Sequence, residues 1–458
     1  MPIYDCLIRG GTLITPHGEL RADLAAADGR IVAIGPDLPG TAAEEIRAFG
    51  LHVLPGLIDA HVHFNDPGRS DWEGWMSGTR ALAAGGGTLA IDMPLNASPP
   101  TLTAAAFRAK CATAAAALTD FALWGGLTPH NLAELDELAA LGVVGFKAFM
   151  SNSGISDFAA ADDLTLYEGM RRAAALGRVV AVHAENDAMT AALAARAVAA
   201  GRISVADYLA SRPLIAELEA IQRALLLAAE AGCALHIVHV SSGRGVALIA
   251  EARARGQDVS CETCPHYLVL NAEDVERLGA IAKCAPPLRE RADQDALWEQ
   301  LLRGNVPIVA SDHSPAPPAL KGLSANGAAS DRDASFFTVW GGIAGVQSTL
   351  AVLLDAGHHQ RGLALTTIAA LTAANPAERF GLAERKGAIR IGADADLALV
   401  ELGTLHTLTA DELHDRHRLN PYVGRTLRGR VVRTVRRGAT LFADGRIVAQ
   451  AGGRLVRR

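Results

Sequence analysis

From residue 57 onward the chain repeats one pattern eight times: a short apolar run able to form a strand, then in most intervals a longer segment with helical spacing. The runs are LIDAHVHF, TLAIDMP, FALWGGL, VVGFKAFM, VVAVHAE, LHIVHVSS, DVSCETC and VPIVASD. The helical intervals include NLAELDELAALG at 131–142, LIAELEAIQRALLLAAEAG at 214–232 and ALIAEARARG at 247–256. Parallel strands buried on both faces read as near-continuous apolar runs, and a crossover helix brings the chain back to begin each neighbour. Eight such units predict an α/β fold, a (β/α)8 TIM-type barrel. Periodicity alone does not close a barrel, so a doubly wound open sheet is the competing arrangement.

The two chain ends differ from this middle. Residues 1–53 carry short strand-like runs, CLIRGGTLI and GRIVAIG, between glycine turns, and residues 388–458 repeat the manner in ADLALVEL, GRVVRTVRRG and GRIVAQAG. Neither end is long enough to bury a full core alone. A small β-sandwich domain built from both ends is therefore expected beside a catalytic barrel at 54–387, with two independent small domains as the alternative. Lys and Arg number 43 against 49 Asp and Glu, a formal net charge of -6, and no long basic block is present, which argues against a nucleic-acid surface. The uncharged run ASFFTVWGGIAGVQSTLAVLL at 334–354 is long enough to raise the question of a membrane span. Its glycines and polar residues read better as a loop followed by a buried helix, so no membrane is expected. The start, MPIYDCLIRGGTLI, lacks the basic segment and apolar core of a secretory leader, and six scattered cysteines form no disulfide framework. A cytoplasmic setting is expected.

The first barrel run ends in His61 and His63, two residues apart and so on one face of a strand, where two imidazoles can converge on a metal ion. Lys147 lies in the fourth run, His183 ends the fifth, His239 lies near the end of the sixth and Asp312 ends the eighth. All six fall at the carboxyl ends of the strands, where this architecture forms its active sites. A lone strand-end histidine is more often a hydrogen-bonded core residue than a ligand; the joint placement is harder to explain that way. His61, His63 and Asp312 are expected to hold the more buried of two divalent ions, and His183 and His239 the second. Nitrogen and oxygen ligands of this kind accept zinc, cobalt, manganese or iron, and the sequence alone does not choose among them. Lys147, flanked by apolar residues, leaves three readings: an ion pair, a neutral amine, or a carbamate (N6-carboxylysine) bridging the two ions with a hydroxide. Asp312 would take the proton of the attacking hydroxide and pass it to a leaving nitrogen.

Other motifs carry less. Cys261 and Cys264 form a CxxC with no second pair, which favours core packing over a structural zinc site; His266 reads as structural, and His313 as facing away from Asp312. The glycines at 85–87 precede an apolar strand with no GKS or GKT, so they do not form a phosphate loop.

GLIDAHVHF at 56–64, VGFKAFM at 144–150, VHAEN at 182–186, HIVHVSS at 236–242, CETCPHYL at 261–268 and SDHSP at 311–315 together resemble the cyclic amidohydrolases of the metal-dependent amidohydrolase superfamily. With NPAERFGL and KGAIRIGADADLALV the resemblance takes in nearly the whole chain. It implies a binuclear zinc-type site with a carboxylated lysine, a barrel with a composite β-sandwich, and an oligomer, usually a homotetramer. A second set, DWEGW at 71–75, DMPLNASPPT at 92–101, LWGGLTPHN at 123–131 and WGGIAGVQS at 340–348, is similar to members that open the hydantoin ring of allantoin to give allantoate. The implied substrate is thus a small ureide.

By similarity Asn96, Cys284 and Ser314 lie near the bound ring. Asn and Ser suit a substrate offering only amide donors and carbonyl acceptors, although Asn96 before Pro99 and Ser314 before Pro315 also read as turn residues. Asn65 stands where dihydroorotase-like proteins place an arginine, and Asp66 follows it, so an anionic ring is disfavoured and Asn65 joins the substrate-facing set. A dihydropyrimidinase or hydantoinase type, and a dihydroorotase type, are the alternative activities. A barrel that has lost its metals and serves in binding or assembly is the alternative class. The stretch GLSANGAASDRDASFFT at 322–338 departs from the family pattern and bears on the shape of an active-site loop.

Overall fold

The computed structural model describes residues 3–324 and 335–458. The eight apolar runs form eight parallel barrel strands: Leu57–Val62, Gly87–Asp92, Asp120–Leu123, Gly145–Phe149, Val179–His183, Leu235–Ile237, Val259–Thr263 and Ile308–Val309. They pair as two arcs, the first three strands in one, and Gly125–Gly126 through Ile308–Val309 in the other. Trp124 separates the arcs, its indole buried and donating to the Ala60 carbonyl at 3.1 Å. Val144 N donates to Leu123 O at 3.0 Å across that junction. At the opposite seam Val62 bridges His313 in parallel, and His63 N donates to His313 O at 2.8 Å. The sheet therefore closes on itself, which excludes the open doubly wound arrangement.

The barrel interior holds Ile58, Ile91, Trp124, Ala181, Val238 and Ala310 in one apolar cluster. Helices cover the outside with a buried stripe; in Leu214–Ala231 the stripe is Leu218, Ile221, Leu225 and Ala228, the three-to-four spacing of one helix face. Where a strand delivers a histidine, a side-chain cap starts the next helix soon after. Asn186 accepts from Met189 N before Asp187–Ala199, and Ser242 accepts from Gly245 N before Gly243–Ala254. These caps end the strands sharply, leaving His183 and His239 at the rim.

Both chain ends enter one nine-stranded sheet. The strand His52–Pro55 lies at its middle, parallel to Tyr4–Thr15 through Thr12 and Leu13 and antiparallel to Leu397–Thr407 through Leu397 and Ala398. Ile8, Leu24, Val53, Leu397 and Val435 share a separate apolar core there. The small β-sandwich is thus one unit made from both ends, and two independent domains are excluded. Among the described residues no helix is long and apolar enough to cross a membrane. Beyond residue 335 the uncharged run forms a loop, then the buried turn Thr349–Val352 and a π-helical stretch Leu353–His359. Of the atypical stretch at 322–338, residues 325–334 lie outside the described residues.

Candidate active site

His61 and His63 do share a face, with ring centroids 5.3 Å apart. Their Nε2 atoms lie 3.2 and 3.4 Å from Asp312 Oδ1. His63 Nδ1 lies 2.9 Å from the Leu95 carbonyl, which can only accept, so Nδ1 carries the proton and Nε2 the lone pair. His61 Nδ1 is likewise turned to Glu262 Oε1 at 2.5 Å. Burial works against ionising Glu262, yet His61 and His236 outweigh it and hold the carboxyl well below its usual range. Burial opposes the charge on Asp312, yet its carboxyl is held down at about 2, so it is a carboxylate. Burial lowers His61, so its imidazole is neutral. Two lone pairs and a carboxylate thus converge with no donor among them, their ligand atoms all within 4.8 Å. A divalent cation satisfies all three, and the nitrogen and oxygen donor set fits one.

His183 and His239 form a second imidazole pair, Nδ1 to Nε2 at 3.0 Å. His183 Nε2 faces Glu185 Oε2 at 2.9 Å, and Glu185 also receives Arg212 Nη1. Glu185 is pushed down to about 2: burial opposes this, and Arg212 and His183 prevail. The ring of His183 stacks on Phe149 at 4.6 Å, and His239 lies 5.4 Å from His61 between centroids. Four histidines and Asp312 therefore border one cavity of about 640 Å³. Asn65, His239 and Asp312, all at strand ends, have φ of 65°, 38° and 44°. Left-handed backbone at non-glycine residues costs roughly 1–3 kcal/mol each and concentrates at functional sites.

The expected cofactor, two ions bridged by a carboxylated Lys147, is corrected by this geometry. Among the described residues the groups whose ligand atoms converge are His61, His63 and Asp312, and separately Asp120, Asp394 and Asp396; both consist of His and Asp alone. Lys147 is a fully buried amine whose Nζ has no hydrogen-bond partner and lies 5.0 Å from the Phe149 ring centre. Burial pulls it down to about 7, so the neutral-amine reading accounts for a lysine in this apolar strand. The Asp120 group lies at the start of the third strand, at the other end of the barrel from His61. Lys386 Nζ sits within it at 2.7, 2.8 and 2.6 Å from the three carboxylates.

Of the substrate-facing candidates, Asn96, Cys284 and Ser314 lie on the cavity wall. Cys284 donates to Pro286 O at 3.2 Å, and burial pushes its thiol up to about 12, which rules out a thiolate nucleophile. Asn65 is not on the wall; it is buried and turned toward the Pro315 carbonyl, 3.4 Å from Nδ2. His313 faces away from Asp312, Nδ1 accepting from Gly345 N and Nε2 lying 3.4 Å from Glu73. His266, Cys261 and Cys264 are buried, and the cysteines are free. Sequence reasoning missed Glu262, Glu185, Arg212 and Lys283. Glu185 had a readable signal, an acid two residues beyond His183 at a strand end, where both share a face.

The amidohydrolase family matches this chain over residues 52–448. The chain is 59% identical to the allantoinase of Rubrobacter xylanophilus over 458 residues, covering 100% of this chain and 98% of that protein. It is 57% identical to the allantoinase of Solibacter usitatus over 454 residues, covering 99% and 97%. Among solved structures it superposes on L-hydantoinase (dihydropyrimidinase) from Arthrobacter aurescens with a TM-score of 0.95, at 36% identity and 100% coverage of both chains. That hydantoinase shares the fold closely at much lower identity than the allantoinases. A match along most of the chain, on a barrel whose rim gathers these histidines and Asp312, places the chain in the amidohydrolase family, among the allantoinases.

Proposed function

We propose that this protein hydrolyses the ring amide of allantoin to give allantoate. The observation that carries the chemistry is the convergence of His61, His63 and Asp312 at the cavity, three acceptors that need a cation. The full-length similarity to allantoinases selects the ring. A divalent ion held by these residues would supply Lewis-acid polarisation of the ring carbonyl and a more acidic water. Asp312, ionised and beside that position, is placed to accept a proton from the attacking water and return it to the departing ring nitrogen. The imidazole nitrogens are aimed by Glu262, Leu95 O and Glu185, which fixes their tautomers.

A neutral ring suits the wall better than an anionic one. Arg69, the nearest cation after HVHF, donates to Asn96 O at 2.5 Å and lies 3.3 Å from Asp157. Arg212 on the wall is already paired with Glu185. Neither is free to grip a dihydroorotate carboxylate. A homotetramer in the cytoplasm belongs to the same reading. The resemblance to L-hydantoinase supports a second reading, a 5-substituted hydantoin as the ring. One metal-loaded preparation assayed on allantoin, 5-substituted hydantoins, dihydrouracil and dihydroorotate separates these. Allantoin is expected to be the best substrate and dihydroorotate the poorest. Preference for hydantoins or dihydrouracil favours the second reading, and preference for dihydroorotate overturns the neutral-ring argument. A protein that takes up no stoichiometric metal and hydrolyses no ring would be a binding protein.

A further inference from the structure

One wall of the cavity, residues 337–342, hangs on two buried lysines. Lys283 Nζ donates to Phe336 O and Val339 O, both at 2.6 Å, and lies 4.5 Å from the Tyr208 ring centre and 5.1 Å from that of Phe336. Lys321 Nζ donates to Ala280 O at 3.1 Å, Trp340 O at 3.4 Å and Gly342 O at 2.6 Å. Four carbonyls of residues 336–342 are therefore turned onto the two lysine side chains. The segment in turn abuts the strand end that carries Asp312. Ser314 N donates to Ile343 O at 2.9 Å, and a Cβ on Gly342, at φ +136°, would lie 2.2 Å from Ser314 O, so only glycine allows this approach.

Three acceptors around Lys321 match the three N–H donors of an ammonium; a neutral amine has two. Attraction between Lys283 and the two rings also requires the charge. We propose that Lys283 and Lys321 are positioning residues: as ammonium groups they hold the 336–342 wall in its substrate-binding shape, and the wall loosens when they lose their protons. The effect on substrate binding rests on the ring-opening reading above, whereas the clamp itself does not. The groups facing Lys283 are Arg212 and Lys321, both cations, and the Tyr208 phenol; facing Lys321 are Lys283 and the Cys284 thiol. Burial, with Arg212 and Lys321 adding to it, pulls Lys283 down to about 7, and burial pulls Lys321 down to about 8. Release therefore begins near neutrality, at Lys283, and is completed on the alkaline side as Lys321 also loses its proton.

Hydrogen exchange on the full-length, metal-loaded protein tests this. The readout is the peptide spanning 335–343, whose Trp340 and Gly342 amides donate to Leu320 O and Lys283 O at 2.7 Å each. Corrected for intrinsic rates, protection there should fall about tenfold between pH 6.5 and pH 9, and about tenfold at pH 6.5 in K283M and K321M. KM for allantoin should rise by about the same factor with kcat changed less than about twofold, whereas K283R, which stays charged, should show a flatter KM against pH. Unchanged protection and KM in both Met variants would overturn the clamp. Should those variants not fold, the wild-type exchange at the two pH values still decides it: equal protection overturns it. A wild-type protein that ignores allantoin sinks the ring-opening reading and leaves the exchange result standing.

Discussion

Among the described residues two buried groups of three potential ligands converge, His61, His63 and Asp312 at one end of the barrel and Asp120, Asp394 and Asp396 at the other, and they are resolved in opposite ways. At the end where Asp120 begins the third strand, Asp120, Asp394 and Asp396 surround Lys386, and Arg437 pairs with Asp120 as well. There the chain supplies its own cations, and every negative charge is answered in place. At the rim, His61, His63 and Asp312 present acceptors to one another, and their donors point outward to Glu262 and Leu95 O. Buried ion clusters that are internally paired fix structure; buried acceptors that face one another with no donor between them call for a cation. Geometry alone finds both groups, since each has three ligand atoms within 4.8 Å. What separates them is whether the sequence has placed a cation inside.

The comparison breaks if Asp312 turns out to be structural. D312N keeps the shape and removes the basicity, so kcat should fall roughly 10³-fold while thermal stability changes little. Turnover near wild type in a D312N protein with full metal content would show that the rim carboxylate is no proton acceptor. The mirror experiment is K386M. Stranding three buried carboxylates should destabilise the fold by about 3–5 kcal/mol, read by denaturant unfolding. Activity per folded molecule should be unchanged, because Lys386 lies at the far end from the histidines. A K386M protein of normal stability that lost its metal would reverse the assignment of the two clusters.

The next effect is smaller and sharpens the account of the rim. Glu262 touches no ligand-facing nitrogen, yet it aims His61 through Nδ1 and also receives His236 Nε2 at 3.1 Å. E262Q should weaken metal affinity by about 10–100-fold, as removal of such supporting hydrogen bonds commonly does, with a matching loss of activity at limiting metal that excess metal restores. Competition with a chelator measures this. Affinity unchanged by E262Q would mean that His61 is oriented by packing alone.

The two ends also differ in how much of them the sequence discloses. The rim was legible because its parts sit in local patterns: a two-residue spacing puts His61 and His63 together, and strand ends deliver His183, His239 and Asp312 to one place. The barrel was legible for the same reason, each strand being a short apolar run before a helix. The Asp120 cluster joins residues 266 apart in the chain, Asp120 with Lys386, and no local period marks it. Glu262 and Arg212 likewise act across long sequence separations, 201 residues for Glu262 with His61. Lys147 misled for a physical reason. Burial is readable from its neighbours, but burial is equally compatible with a plain neutral amine, and the side chain's partners were not in the string. Asn65 misled through its left-handed backbone, which turns a residue adjacent to the metal motif toward Pro315 instead of the cavity.

The smallest effect lies inside the self-paired cluster and concerns pH. Three carboxylates share Lys386, so they do not all ionise with equal ease. Asp120 is held low: burial opposes it, but Lys386 and Arg437 prevail. For Asp396 burial dominates and raises the carboxyl above its ordinary 3.8, with the Asp120 charge adding to the rise. A group whose folded pKa exceeds its unfolded value binds more protons in the native state across that interval. Its contribution is present below the unfolded pKa and declines as pH rises through the folded one. D396N removes this titration and can still accept the hydrogen bond that Arg437 N donates to Oδ1 at 2.7 Å. The variant should therefore differ from wild type by less than about 1 kcal/mol at neutral pH. Just above pH 3.8 it should lack the part of the decline in stability that Asp396 contributes. Denaturant midpoints taken in steps from pH 3.5 to pH 6 would show the two curves separating over that range. Parallel curves would mean that Lys386 neutralises all three carboxylates alike, and that the cluster carries no residual frustration.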